Sequence, residues 1–228
     1  MATGEFMKKN VLLLSCGCYS PITHMHLRLY ELARDVLHKT GKFNVVGGIV
    51  SPTHDGYKKK GLVAADHRIE MCRRATKSSD WLRVSTWETE QDDWTETRKA
   101  LQHFQELANN QSGECSDLPP NVVVKLLCGA DLIESFNVPG LWKDDDVEAI
   151  ASSYGLVVIT RAGSFPIKFV DEHKILQKYK DNIHIIDEWI PNEISSTKIR
   201  LALSRNESIK YLVADSVIEY IKEHKLYR

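Results

Sequence analysis

The sequence has no apolar run approaching the ~18 residues that a membrane span needs. Its opening, "MATGEFMKKN", contains no signal-peptide core. It also has almost no net charge: 30 Lys and Arg against 31 Asp and Glu leave −1. No global field therefore favours nucleic acid or an anionic membrane, although a local basic patch is compatible with that balance. Cysteines are few and odd in number (Cys16, Cys18, Cys72, Cys115 and Cys128). Without a secretion signal this predicts reduced thiols in a cytosolic or nuclear setting rather than a disulfide framework. Cys16 and Cys18 stand one residue apart, and no His or Cys group elsewhere completes a zinc-like spacing, which argues against a structural metal. Internal repeats and long low-complexity segments are missing too. So are the G-x-G-x-x-G and Walker fingerprints, and the standard dinucleotide and kinase readings lose ground with them.

What is there reads as a globular α/β protein. The 228 residues are 43% hydrophobic and 27% charged, enough for one domain with a real core. "MATGEF" reads as a leader foreign to the natural chain, which puts the natural start at Met7 and a single domain over 7–228. Short β-branched apolar runs at 10–16, 43–50, 81–86, 122–128, 156–160 and 183–187 predict strands buried on both faces. Amphipathic stretches at 25–40, 64–77, 93–108, 144–153, 196–204 and about 214–224 predict helices between and after them. The alternation predicts a doubly wound parallel sheet with helices on both faces, whose ligands sit outside the carboxyl ends of the strands. The polar stretch 109–121, "NNQSGECSDLPPN", is expected to be a flexible loop.

Two strand-end segments carry chemistry. In "GCYSPITHMH" (17–26), Gly17 permits close approach of backbone amides and Pro21 fixes a turn. A helix then begins at Thr23 or His24, with His26 in its first turn, so helix-start amides and an imidazole can meet an anion. In "NEISSTKIRLAL" (192–203), Ser195 or Ser196 can cap a helix that carries Thr197, Lys198 and Arg200. Taken singly, these stretches also fit a tight turn with two surface histidines and a Ser-capped surface helix. Taken together, two helix-start anion sites predict a triphosphate held between them.

These residues resemble a known family. "GCYSPITHMH" resembles the G-x-F-x-P-x-[HT]-x-x-H signature of the nucleotidyltransferase superfamily, and "ISSTKIR" (194–200) its C-terminal I-S-S-T-x-I-R motif. The text between them, including "GGIVSPTHDGYKKKGL", "STWETEQDDWTET", "KLLCGADLIESF", "PGLWKDDD" and "LVVITRAG", resembles the animal nicotinamide mononucleotide adenylyltransferases. The likeness runs from about residue 8 to 228 with the exception of 109–121.

The resemblance implies a Rossmann-like fold. It implies adenylyl transfer from ATP to nicotinamide or nicotinate mononucleotide, giving NAD or its nicotinate analogue and pyrophosphate. It implies Mg²⁺ bound mainly through the ATP phosphates, with no metal ligands from the protein. Residue by residue, it places Gly17, Cys18, Thr23, His26, Lys59, Ser195, Ser196, Thr197 and Arg200 at the ATP phosphates, with His26, Lys59 and Arg200 as the catalytic group. It places Trp94, Thr97, Leu141 and Trp142 at the mononucleotide, where an aromatic face suits a cationic pyridine ring. Gly129 and Asp131 fall at the NAD ribose, Asp131 being equally a helix N-cap, and Glu188 and Asn192 fall near the adenosine or ribose. Arg68 orients the pocket or lies on a plain helix surface, and Arg161 is a pocket edge by position. Trp81, Trp87 and Trp189 are left for the core, Trp87 alternatively for the pocket. Tyr19 replaces the family's usual Phe and Cys18 its usual Ser, changes that a backbone-mediated site tolerates.

The partners implied are small molecules, not nucleic acid. Family members range from monomers to larger assemblies, and some are credited with protecting other proteins, so a homo-oligomer and client proteins stay open. The run Lys58–Lys60 is a phosphate contact, a solvated loop or a weak import signal, and 109–121 lacks a basic cluster. The cytosol is therefore expected, with the nucleus open. The rival readings are another nucleotidyltransferase on the same scaffold and a chaperone-like binding protein without turnover.

Overall fold

All six expected strands form. In the computed structural model, which describes residues 8–160 and 164–227, they are β1 (Lys9–Gly17), β2 (Phe43–Pro52), β3 (Leu82–Val84), β4 (Val122–Gly129), β5 (Leu156–Ile159) and β6 (Ile183–Ile186). They pair in parallel in the order β3-β2-β1-β4-β5-β6. The order reverses between β1 and β4, so the crevice of a doubly wound sheet opens beyond Gly17 and Gly129. The Met7 start and Arg161 lie outside the described residues.

Alternation along each strand divides the core in two. Val11 and Leu13 of β1, with Val157 and Ile159 of β5, face α1 (His24–Lys39), α2 (Ala65–Thr76), α7 (Ser196–Ser204) and α8 (Asp215–Glu223). Leu12 and Leu14, with Leu156 and Val158, face α3 (Thr97–Asn110), α4 (Ala130–Glu134), α5 (Asp144–Ala149) and α6 (Pro166–Glu172). Successive side chains of a strand point to opposite faces, so a continuous apolar run fills both layers. The α1 stripe does as expected: Leu29, Leu32, Ala33 and Leu37 are buried and Val36 half-buried.

Helix ends and short helices differ from the expectation. Helix α3 starts at Thr97, not 93: Glu96 is its extended N-cap, and ahead of it Asp93 Oδ1 accepts the Trp94 N–H at 2.7 Å. The 144–153 helix keeps α geometry only to Ala149 and continues as a wider π-type turn over Ile150–Tyr154. Gly155 closes that turn at φ 84°, and a Cβ there would lie 2.5 Å from Lys125 Nζ. Helices α4 and α6 are too short for a helical period to register in the sequence, although Pro166 at the first turn of α6 is a start signal. The polar stretch 109–121 carries two apolar anchors, Cys115 and Leu118, both buried, and Asp117 takes a bidentate pair from Arg83 at 2.6 and 2.7 Å.

A cationic cluster sits in the sheet away from the crevice. Lys125 is buried, with its ammonium on Asn182 Oδ1 at 2.7 Å, and burial pushes it down to about 8. His184 stands edge-on to Phe43 at 5.0 Å, and its Nε2 is buried with no hydrogen-bond partner. Burial first, then the charges of Lys125 and Lys42, push His184 down from 6.5 to about 4. The folded chain excludes a proton that the unfolded chain accepts. Stability is therefore whole above pH 6.5 and falls as the pH drops toward 4. In His184→Phe, the melting temperature should fall less than wild type across that interval, by roughly 3–6 °C. Parallel pH–melting curves for the two proteins would rule this assignment out.

Candidate active site

The loop after β1 is shaped by its own side chains. Tyr19, at φ 46°, folds its ring back over Gly17 and donates its hydroxyl to Ser15 O at 2.8 Å. A Cβ at Gly17 would lie 3.1 Å from that ring, so a larger residue there would press on Tyr19. Thr23 is the N-cap of α1 and His26 its third residue, and the two form a reciprocal capping box. The Thr23 N–H donates to His26 Nδ1 at 3.0 Å, and the His26 N–H donates to Thr23 Oγ1 at 3.4 Å. With Nδ1 accepting, the proton of the neutral ring belongs on Nε2.

Helix α7 docks onto this loop. Ser195 is its N-cap, accepting the Lys198 N–H at 3.3 Å, and Ile199 anchors it in the core. Ser196 Oγ donates to Pro21 O at 2.8 Å, and Arg200 Nη1 donates to Ser20 O at 2.8 Å. The result is a cavity of about 110 Å³ in which Cys18, His26, Lys59, Ser196, Thr197 and Arg200 come together, as expected. Tyr19, Ser20, Lys60 and Leu62 complete it; the sequence offered no separate signal for Ser20 or Leu62. The lining residues include three cations and an imidazole but no carboxylate. Thr23 and Ser195 do not line the cavity: the first is buried and engaged with His26, the second caps α7, and both act through the groups they hold.

Arg68 is fully buried and ties two loops together. Its guanidinium donates to Cys18 O at 3.1 Å, Thr53 O at 2.8 Å, Val63 O at 2.9 Å and Asp55 Oδ1 at 2.7 Å. It orients the pocket rather than decorating a helix surface. Glu88, unremarked in the sequence, lies buried next to the end of β1. It accepts from Ser51 Oγ at 2.5 Å, and burial pushes its carboxyl up to about 7. The Cys16 and Cys128 thiols are likewise raised by burial, which keeps them protonated and poor nucleophiles.

The expected mononucleotide residues follow strands β3, β4 and β6 and so share the carboxyl edge of the sheet. Trp94 is exposed and lies 6.1 Å from the Tyr57 ring; Thr97 opens α3. Leu141 is exposed, whereas Trp142 is half-buried, edge-on to Phe136 at 4.8 Å, with its indole N–H on Ser135 Oγ at 3.0 Å. Ion pairs Arg98–Asp146 at 3.1 Å and Glu96–Lys143 at 3.3 Å join the starts of α3 and α5, and with them these two segments. Gly129 is the N-cap of α4. Asp131 is exposed in its first turn, so the N-cap alternative for Asp131 falls to Gly129. Glu188 is paired with Arg28 at 3.5 Å and accepts the Ile190 N–H at 3.1 Å, and Asn192 Oδ1 accepts the Ile194 N–H at 2.9 Å. Both shape the β6–α7 loop. Of the tryptophans left for the core, Trp81 and Trp87 are half-buried, Trp87 stacked on His103 at 4.1 Å. Trp189 is 72% exposed: it leaves the sheet in the loop after β6, with the Arg28 guanidinium over its ring.

Comparison with known proteins agrees with this geometry. Residues 14–202 match the cytidylyltransferase-like family. A bovine nicotinamide/nicotinic acid mononucleotide adenylyltransferase 1 is 47% identical over 96% of this chain and 89% of its own length. A Drosophila melanogaster nicotinamide-nucleotide adenylyltransferase is 49% identical over 95% of the chain, which spans 61% of the fly protein. A Plasmodium falciparum nicotinic acid mononucleotide adenylyltransferase, solved with APC, shares the fold at a TM-score of 0.64 and 20% identity, over 96% of this chain and 97% of that one. The chain therefore belongs to the nicotinamide/nicotinic acid mononucleotide adenylyltransferase family, with a cytidylyltransferase-like domain at its centre.

Proposed function

We propose that this chain transfers the adenylyl group of ATP to nicotinamide or nicotinate mononucleotide, releasing pyrophosphate and forming NAD or its nicotinate analogue. The observation that carries the reading is the single cavity shared by His26 of the first helix and Arg200 of the seventh. It is a cationic, hydroxyl-lined space fit for a triphosphate, beyond the switch point of the sheet.

The chemistry needs no side-chain nucleophile. A mononucleotide phosphate oxygen, already ionised at neutral pH, attacks the α-phosphorus. The new P–O bond forms in line with the breaking bond to the β-phosphate oxygen, and pyrophosphate leaves with the electron pair. The protein's contribution is to position the reactants and to offset developing negative charge. His26, with Nδ1 held by Thr23, presents Nε2–H as a fixed donor. Arg200 and Lys59 supply charge, Thr197 supplies a hydroxyl, and Ser196 and Thr197 supply helix-start amides. Magnesium, when bound, would supply charge neutralisation on the phosphates that His26, Lys59 and Arg200 hold. Trp94, Thr97, Leu141 and Trp142 form the wall for the pyridine ring, and Gly129 and Asp131 the ribose edge.

The direct test is NAD formation by the purified chain from ATP and each mononucleotide in turn. A CTP-dependent product in place of NAD would favour the rival transferase reading. His26→Ala should lower turnover by about 10²–10³, the cost of one preorganised oxyanion donor. Unchanged kcat/KM would remove the residue from the mechanism. Trp142→Ala should raise the mononucleotide KM roughly 5–30-fold and leave the ATP KM within about twofold, the loss of one aromatic–cation contact. Equal losses for the two substrates would count against ring stacking.

A further inference from the structure

Ser20 stands at the junction of three segments, and its hydrogen bonds set their directions. The side chain is 1% exposed yet belongs to the lining of the phosphate cavity. A hydroxyl has one proton to give and two lone pairs to accept with. Ser20 Oγ reaches Gly61 O at 3.3 Å and accepts the Val63 N–H at 3.4 Å. Tyr227 Oη lies 3.0 Å from the same oxygen, and either hydroxyl can give the proton of that bond. Burial pushes the Tyr227 phenol up to about 12, so its proton is present throughout the neutral range. The backbone carbonyl of the same serine receives Arg200 Nη1 at 2.8 Å. The loop bearing Lys59 and Lys60, the loop bearing Cys18 and the guanidinium of Arg200 thus meet at one residue, and a side chain from beyond α8 supplies its last hydrogen bond.

We propose that Tyr227 is a positioning residue for the ATP phosphates, fixing through its hydroxyl the spacing between the loop after β1 and the loop after β2. Its hydroxyl bonds to Ser20, and it acts through that residue. Without the phenolic oxygen, buried Ser20 loses one of its hydrogen bonds. Its rotamer is then less firmly held, and the contacts it makes to Gly61 and Val63 of the loop after β2 loosen. The mononucleotide wall lies on the loops after β3 and β4, outside this junction, so the effect belongs to one substrate. This inference rests on the adenylyl-transfer reading.

The test is steady-state kinetics on wild type, Tyr227→Phe, Ser20→Ala and the double variant, with melting curves for each. Tyr227→Phe keeps the ring and removes one oxygen. It should raise the ATP KM and the inhibition constant of pyrophosphate by about 3–10-fold, the cost of one buried hydrogen bond, with the mononucleotide KM within twofold. Adding Tyr227→Phe to Ser20→Ala should change the ATP KM by less than twofold, since the two act as one unit. Failure of wild type to form NAD would sink the functional reading. A working wild type with an unchanged Tyr227→Phe, with equal losses for the two substrates, or with additive single variants, would overturn the positioning role alone. If Tyr227→Phe does not fold, Ser20→Ala decides by the same split between substrates: a loss confined to ATP and pyrophosphate supports the junction, and an even loss rejects it.

Discussion

The site depends on a weld between two segments far apart in sequence. Ser196 and Arg200 of α7 donate to the carbonyls of Pro21 and Ser20, across 175 and 180 positions of chain. The choice of acceptor matters as much as the distance. A carbonyl orients a guanidinium without cancelling its charge, so Arg200 faces the cavity still fully cationic. Arg68 shows the opposite arrangement: fully buried, it spends its donors on three carbonyls and the Asp55 carboxylate at 2.7 Å. One arginine is left electrostatically available, the other is neutralised and fixes backbone. The structure of their partners separates a ligand-facing role from a framework role without reference to sequence position.

His26 follows the same economy. The capping box that starts α1 also fixes the imidazole, because the N-cap amide that needs an acceptor finds it in Nδ1. A local device for ending a helix thereby settles which ring nitrogen carries the proton. Preorganisation of this kind costs nothing at the moment of reaction, since the donor is already in place before charge develops.

Much of this was legible in the sequence, for identifiable reasons. Strands buried on both faces read as unbroken apolar runs, so all six were found, and the order of strands and helices determined the sheet class. Most of the residues lining the cavity were legible as neighbours because they sit on two contiguous motifs at helix starts. What escaped has no local signature. Helices α4 and α6, of five and seven residues, are too short for a repeating apolar stripe to register. Trp189 was assigned inward on hydrophobicity alone, yet a loop position and the Arg28 guanidinium leave it outside. Ser20 and Glu88 matter through burial and partners, and an isolated serine or glutamate shows neither in a sequence. Gly17 was read for its ligand, while the structure adds an intramolecular demand from the Tyr19 ring.

The two halves of the site are held with unequal firmness. The phosphate side is joined by buried or half-buried bonds to backbone carbonyls and by a guanidinium with no exposure. The proposed mononucleotide wall is joined across α3 and α5 by Glu96–Lys143 and Arg98–Asp146, pairs whose cationic side chains are 74% and 45% exposed. Exposed pairs of that kind contribute about 0–1 kcal/mol each, against about 1–3 kcal/mol for leaving a buried acceptor unmade. A triphosphate is the same molecule at every turnover and gains from a rigid receptor. A pyridine ring bearing either an amide or an acid is better served by a wall that yields. The difference in anchoring follows from where each contact sits: bonds beneath the crevice are sheltered by the sheet, and those at its rim are not.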